Sequence, residues 1–324
     1  MPPGHQDTST ATPSKTAIVG AGSIGAAFAL VFASAGREVS LFDTQPESLH
    51  IARSYIERSL SALEQEHLLK VSVDSVLARL SFCDDLAIAV KDAAWVHECA
   101  PERADVKAEI FRRLDALSPP DAILASASSA IPASAFAEHI KGRARCLVAH
   151  PGNPPFLLRV IELAPAPFTS EDTLARARAF AHSVELDPIL VHHEPEGFVF
   201  NRLQGAMLRE AYCLVRDGVA SVEDIDTLVR KGLGLRWSVI GPFETVDLNT
   251  RGGIAAHAEK LGPAYARMGS ERGQDDPWTA ELVDTVTAQR RALMPMDNWS
   301  ERVAWRDRML MRRLSSANED LSDA

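Results

Sequence analysis

The chain has 324 residues, a formal net charge of −10, and a composition that is 46 % hydrophobic and 24 % charged, which is globular and long enough for two domains. The acidic balance argues against nucleic acid or an acidic membrane surface as the main partner. Cys83, Cys99, Cys146 and Cys213 are scattered with no C-x-x-C spacing, so the expectation is free thiols in a reducing, cytoplasmic compartment, with no zinc site and no disulfide framework.

Residues 1–14 are rich in Pro, Ser and Thr and lack the apolar core and positive charge of a targeting peptide, so they read as a disordered tail outside the fold. Residues 16–19 form a short apolar run closed by Gly20, as a buried strand does, while Ile24, Phe28, Val31 and Phe32 recur at helical spacing. Gly20, Gly22 and Gly25 fall between them in the pattern G-x-G-x-x-G. At a strand-to-helix turn the first glycine allows the tight turn, the second lets the backbone approach a pyrophosphate, and the third lets helix pack on strand. The helix N-terminus then offers N–H groups to the anion. A second apolar strand over 38–43 ends in Asp43, placed to accept the hydroxyls of an adenosine ribose, and no Arg or Lys between Asp43 and His50 answers a 2′-phosphate. Strand, turn, helix and acid together predict NAD. The uncharged stretch from Ala17 to Gly36 is long enough to suggest a membrane span. Its glycines and serines, its change of period and its lack of a basic flank exclude one.

Further on, the patterns predict a helix from Thr44 to about Leu69, an ambiguous stretch over 71–86, a strand over 93–99, a helix over 105–117 closed by Pro119 and Pro120, and a strand over 122–126. A short helix follows Pro132, then strands over 144–149 and 160–164, a helix over 170–183 and a last strand over 188–192. This alternation predicts an α/β fold, a Rossmann-type doubly wound sheet over 15–193, followed by an all-α domain over 194–324. Residues 198–215 are apolar on nearly every face and predict a buried helix, inside a helical core or at a subunit interface. Helices are also expected over 222–230, around 243–248, and over 278–291 and 300–314. Arg302, Arg306, Arg308, Arg312 and Arg313 read as a solvated helix face.

Open α/β sheets bind ligands at the carboxyl ends of their strands. There, His150 ends an apolar strand and precedes the rigid turn Pro151-Gly-Asn-Pro-Pro155, and the next strand carries a single acid, Glu162, among Val160, Ile161 and Leu163. Side by side, the carboxylate would hold one imidazole nitrogen and leave the other to take the hydroxyl proton of an alcohol as its hydride leaves. The alternative is a packed strand-end histidine beside a solvated glutamate. His97, His192, His193 and His257 have no comparable setting and read as structural.

The glycine loop, Ser126-Ala-Ser-Ser-Ala130, His150-Pro-Gly-Asn-Pro154, Glu162 and Gly197-Phe-Val-Phe-Asn-Arg-Leu203 resemble the 3-hydroxyacyl-CoA dehydrogenase family in order and spacing, over nearly all of residues 15–314. Gly232-Leu-Gly-Leu-Arg-Trp237, Gly241-Pro-Phe-Glu-Thr245 and Ala304-Trp-Arg-Asp307 resemble its lambda-crystallin and L-gulonate 3-dehydrogenase branch. The resemblance implies that His150 is the catalytic base and Glu162 its partner, that Ser129 and Asn201 hydrogen-bond the reacting oxygen, and that Glu102 and Lys107 lie near the nicotinamide half of NAD. It adds Ser23 and Ile24 to the cofactor loop and Asn153 to the substrate set, and it implies a homodimer. The family's Asn or Ser is replaced by Ala127 in the serine loop. Each role has a plain alternative: Asn201 caps a helix, Ser129 satisfies a loop, and Glu102 and Lys107 form a surface pair. Arg236 suits bidentate pairing with a substrate carboxylate, its alternative being a structural stack on Trp237. The implied activity is NAD-dependent, metal-free oxidation of a small 3-hydroxy acid, L-gulonate or a relative, to the 3-keto acid. Its rivals are a short-chain 3-hydroxyacyl-CoA or carnitine dehydrogenase and a catalytically silent, NADH-binding crystallin.

Overall fold

The computed structural model describes residues 15–273, 279–299, 301, 302 and 305. It divides into two compact units, one ending at Leu208 and the other starting at Arg209.

In the first unit, β1 (Lys15–Val19), β2 (Val39–Phe42), β3 (Leu80–Cys83), β4 (Ala93–Glu98), β5 (Ile123–Ser126), β6 (Cys146–Pro151), β7 (Val160–Pro165) and β8 (Asp187–Leu190) form one sheet in the order β3-β2-β1-β4-β5-β6-β7-β8. All neighbours are parallel except β6 and β7. The inner strands are near-continuous apolar runs because helices cover both faces. The ambiguous stretch over 71–86 yields β3 as an edge strand with no buried residue, too short for periodicity to mark. Helices α1 (Ser23–Ser34), α2 (Pro46–Gln65), α3 (Val73–Leu77), α4 (Leu86–Val90), α5 (Ala104–Leu117), α6 (Ser134–Ala137) and α7 (Glu171–Ser183) complete the unit. The apolar residues of α1 are buried from Ala26 to Ala33, which is why its sequence resembles a span. No described helix is long and apolar enough to cross a membrane. All four cysteines are free.

One core layer packs Phe28, Phe32 and Trp95, with Trp95 stacked on Phe180 at 4.2 Å between ring centroids. His97 lies inside it, fully buried, its ring 4.0 Å from that of Phe28 and its Nδ1 accepting the Trp95 indole N–H at 3.3 Å. Burial drives the imidazole pKa from 6.5 to about 3. Between those values the unfolded chain binds the extra proton, so stability is lost as pH falls through 6.5, with a limiting slope of about 1.4 kcal/mol per pH unit. Denaturant titrations of His97→Gln across this window are expected to lose about one proton of slope relative to the parent. An unchanged slope would refute the burial argument.

The second unit is helical. Helix α8 (Phe200–Arg216) carries the division between the units, and α9 (Val222–Leu228), a π-helical turn over Val229–Leu233, α10 (Gly234–Trp237), α11 (Pro242–Asn249), α12 (Gly253–Glu271) and α13 (Ala280–Leu293) follow. The fully buried Asp247 receives the Arg291 guanidinium, and Glu244 receives Arg290 and Arg302, each at 2.7 Å. Arg302 is therefore paired, and its guanidinium also lies over the Trp305 ring. Arg306, Arg308, Arg312, Arg313 and most of the helix expected over 300–314 lie outside the described residues. The expectation of a buried helix over 198–215 is corrected within this chain. Phe198 is fully buried, but α8 itself has no buried residue, and Leu203, Met207, Leu208 and Tyr212 are exposed. Arg202, Arg209 and Arg216 form a polar side opposite Phe200, Leu203, Met207 and Leu214, so the helix is two-faced and not apolar all round.

Candidate active site

The glycine turn sits between β1 and α1. Gly20 has φ +108°, and its N–H donates to the Phe42 carbonyl at 2.8 Å. A side chain there would meet the backbone of Cys99, and a Cβ at Gly25 would overlap the Gly20 carbonyl. A Cβ at Gly22, in contrast, would meet no protein atom within 4 Å. Gly22 is the N-cap of α1 and supplies no side-chain hydrogen bond. The N–H groups of Ser23, Ile24 and Gly25 belong to the first turn, which no helix satisfies internally, so the loop offers an open face and unpaired donors. Asp43 lies just past β2. Its Oδ2 accepts the Ala21 N–H at 2.8 Å and its Oδ1 the Gln45 N–H at 2.9 Å, so the acid read as a ribose ligand also braces the glycine loop.

Four strands away, the antiparallel register sets His150 directly opposite Glu162. The turn between them contains the exposed Asn153, whose bond to Pro154 is cis. Both dyad side chains are buried, and His150 Nδ1 lies 2.7 Å from Glu162 Oε2. Glu162 Oε1 accepts the Val199 and Phe200 N–H groups at 2.8 and 2.9 Å. Positive φ angles at Gly197 and Phe198, 77° and 49°, turn the chain so that these two N–H groups meet the carboxylate. Burial alone would raise the Glu162 pKa, but the hydrogen bonds from His150, Phe200 and Val199 outweigh it and hold it below the ordinary value. The carboxylate accepts from Nδ1–H, which leaves the Nε2 lone pair as the basic atom.

The serine loop follows β5. Glu102 Oε1 accepts from the Ser128 hydroxyl at 2.7 Å and from the N–H groups of Ser129, Ala130 and Ile131 at 2.9, 3.0 and 3.3 Å. Here too burial would raise the pKa, and the Ser128 hydroxyl, the backbone donors and the Lys107 charge together lower it. The Ser129 side chain is thus left exposed, and Asn201, in the first turn of α8, donates from Nδ2 to the Ser129 carbonyl at 3.0 Å. Contacts through Glu162, Val199, Phe200, Asn201 and Ser129 therefore run without a break from the histidine to the serine loop.

Lys107 is not the surface partner of Glu102 that helical spacing allowed. It is buried on Glu98, an acid that sequence reasoning passed over, and stands 3.5 Å from Glu102. Burial raises the Glu98 carboxyl, opposed by the Lys107 charge and the Ser126 hydroxyl. A lone acid in the apolar strand β4 was the available signal, the kind that marked Glu162 in its own strand. Arg236 belongs to the second unit, in α10, where its Nε is buried without a hydrogen-bond partner among the described residues. No cluster of metal-ligating side chains occurs among the described residues.

Residues 15–194 match the model of the 3-hydroxyacyl-CoA dehydrogenase NAD-binding domain, and residues 197–295 match that family's C-terminal domain. The chain belongs to the 3-hydroxyacyl-CoA dehydrogenase family. Its cofactor is NAD, and the open face at Gly22, the uncapped first turn of α1 and the braced Asp43 fit that dinucleotide. The chain is 36 % identical over 310 residues to the lambda-crystallin homolog of Bos taurus, covering 94 % of this chain and 95 % of the relative. It is 34 % identical to the L-carnitine dehydrogenase of Streptomyces coelicolor, covering 93 % and 94 %. Among solved structures, an NAD+-dependent dismutase, 5-formyl-3-hydroxy-2-methylpyridine 4-carboxylic acid 5-dehydrogenase, is 29 % identical with a TM-score of 0.70, covering 93 % of this chain and 99 % of that one.

Proposed function

We propose that this dehydrogenase oxidises a small 3-hydroxy acid, L-gulonate or a close relative, to the 3-keto acid, as a cytoplasmic homodimer with its NAD-binding domain over 15–193 and a helical domain over 194–324. The observation that carries this reading is the bonding of Glu162, which holds His150 by one oxygen and the start of α8 by the other. His150 Nε2 removes the hydroxyl proton, and the adjacent carboxylate stabilises the imidazolium that results. Ser129 and Asn201 hydrogen-bond the reacting oxygen, with Asn153 completing the wall on the turn side. Bound NAD would supply the hydride acceptor. Gly20, Gly22, Ser23, Ile24 and Gly25 hold its pyrophosphate, Asp43 its adenosine ribose, and Glu102 with Lys107 behind it lines the nicotinamide side.

Arg236, in the second unit, is assigned to the substrate carboxylate, whose geometry its guanidinium fork matches. The test is a panel of L-gulonate, other 3-hydroxy acids, carnitine and 3-hydroxybutyryl-CoA, followed by NADH absorbance. L-gulonate is expected to lead, and Arg236→Ala to raise its KM by about tenfold to a hundredfold, the loss of one charge-assisted hydrogen-bonded pair. An unchanged KM removes Arg236 from the site. Preference for carnitine favours the activity named for the Streptomyces relative. NADH binding with no turnover on any member favours the silent, crystallin-like reading. The exposed Leu203, Met207, Leu208 and Tyr212 on α8 support the dimer, and light scattering at assay concentration is expected to give twice the chain mass. A monomer would refute it.

A further inference from the structure

Lys107 and Glu98 form an ion pair sealed from water at the carboxyl edge of the sheet. Their side chains are 1 % and 0 % exposed, and Nζ stands 3.1 and 3.0 Å from the two carboxylate oxygens. For such a pair the desolvation penalty offsets the Coulomb attraction, and apolar side chains of similar volume commonly serve stability as well or better. Stability alone is a poor reason for these two charges.

The reason lies in what converges on them. Glu98 Oε1 accepts the Ala100 N–H at 2.7 Å, and the neighbouring Cys99 donates its N–H to the Val19 carbonyl at 2.7 Å and closes its backbone over Gly20. Glu98 Oε2 accepts the Ser126 hydroxyl at 2.5 Å, and that same oxygen of Ser126 accepts the Ser128 N–H at 3.2 Å. Lys107 reaches past Glu98 to Glu102 Oε2 at 3.5 Å, and the other oxygen of Glu102 gathers the N–H groups of Ser129, Ala130 and Ile131. One buried acid thus bonds the corner behind the glycine turn, helix α5 and the end of β5, and reaches the serine loop through Ser126 and through Lys107 on Glu102.

We propose that Glu98 is a positioning residue: with Lys107 it anchors Glu102, and through Glu102 and Ser126 it fixes the 126–131 loop so that Ser129 is presented to the substrate. Lys107 acts through Glu102, being too enclosed to meet a ligand directly. The inference rests on the reading of Ser129 as a substrate contact.

The paired variant E98Q/K107M tests it, because it removes both charges at similar volume and leaves neither partner buried alone. On the full chain, Tm is expected at or above the parental value, and amide hydrogen exchange of Ser129, Ala130 and Ile131 is expected to quicken by about tenfold or more. With NAD and L-gulonate, kcat should fall by about tenfold or more while the KM for NAD moves by less than about threefold, because a displaced contact costs the reaction more than cofactor binding. Exchange held at parental rates overturns the anchor. Quickened exchange with parental kcat upholds the anchor and overturns the Ser129 reading instead. If the paired variant does not fold, Ser126→Ala removes only the hydroxyl on Glu98 Oε2. Quickened exchange over 128–131 then supports the proposal, and parental exchange overturns it.

Discussion

His150→Ala is expected to lower kcat on the order of a hundredfold to ten-thousandfold while leaving the Kd for NADH near its parental value, the range ascribed to a positioned general base. The two effects separate because the histidine is on β6 and the glycine turn follows β1, with β4 and β5 between them in the sheet. The variant also spares the scaffold. Glu162 keeps its bonds to the Val199 and Phe200 N–H groups when the imidazole is gone, so α8 is still held at its first turn. Steady-state rates with a fluorescence titration of NADH measure both quantities. A variant with near-parental kcat would take the base out of the mechanism.

The second large effect is expected at Gly25. A Cβ there overlaps the Gly20 carbonyl, and backbone bounds the clash on both sides, so no flexible side chain can swing away to relieve it. Helix α1 is immobilised by its fully buried run from Ala26 to Ala33, leaving the glycine turn as the part that gives. Gly25→Ala should cost about 1–3 kcal/mol, the usual penalty of overpacking, and weaken NADH by about tenfold to a hundredfold if most of that distortion falls on the turn. Gly22→Ala is the control: it meets no protein atom, so unfolding should be unchanged while NADH binding weakens. Thermal unfolding and NADH titration of the two variants decide the matter, and a Gly25→Ala protein with parental Tm and parental Kd would sink the steric account.

Much of this was legible before any coordinates. Local rules carried the glycine turn, because its three glycines answer to turn, approach and packing within a few residues. They also carried the pairing of His150 with Glu162, because a Pro-rich turn between two apolar strands leaves few registers. Other features were not local. The strand Leu80–Cys83 is a short edge whose side chains are at most partly buried and show no alternation of buried and exposed positions. The partner of Lys107 stands at the end of β4, across a turn, whereas helical spacing offered the nearer Glu102. Glu98 stayed hidden because the run over 93–99 is legible as an apolar strand, while the partner of its terminal acid, Lys107, lies on the following helix. Helix α8 misled because its apolar residues were counted without the charged ones between them. A helix with an apolar face and no burial in its own chain has the pattern of one that packs elsewhere.

The carboxylate of Glu162 is shared between the ring of His150 and the opening amides of α8, so a shift of that first turn would be passed to the imidazole. With His150 as the proposed base, substitutions in the first turn of α8 are expected to change the rate of proton removal without touching the substrate.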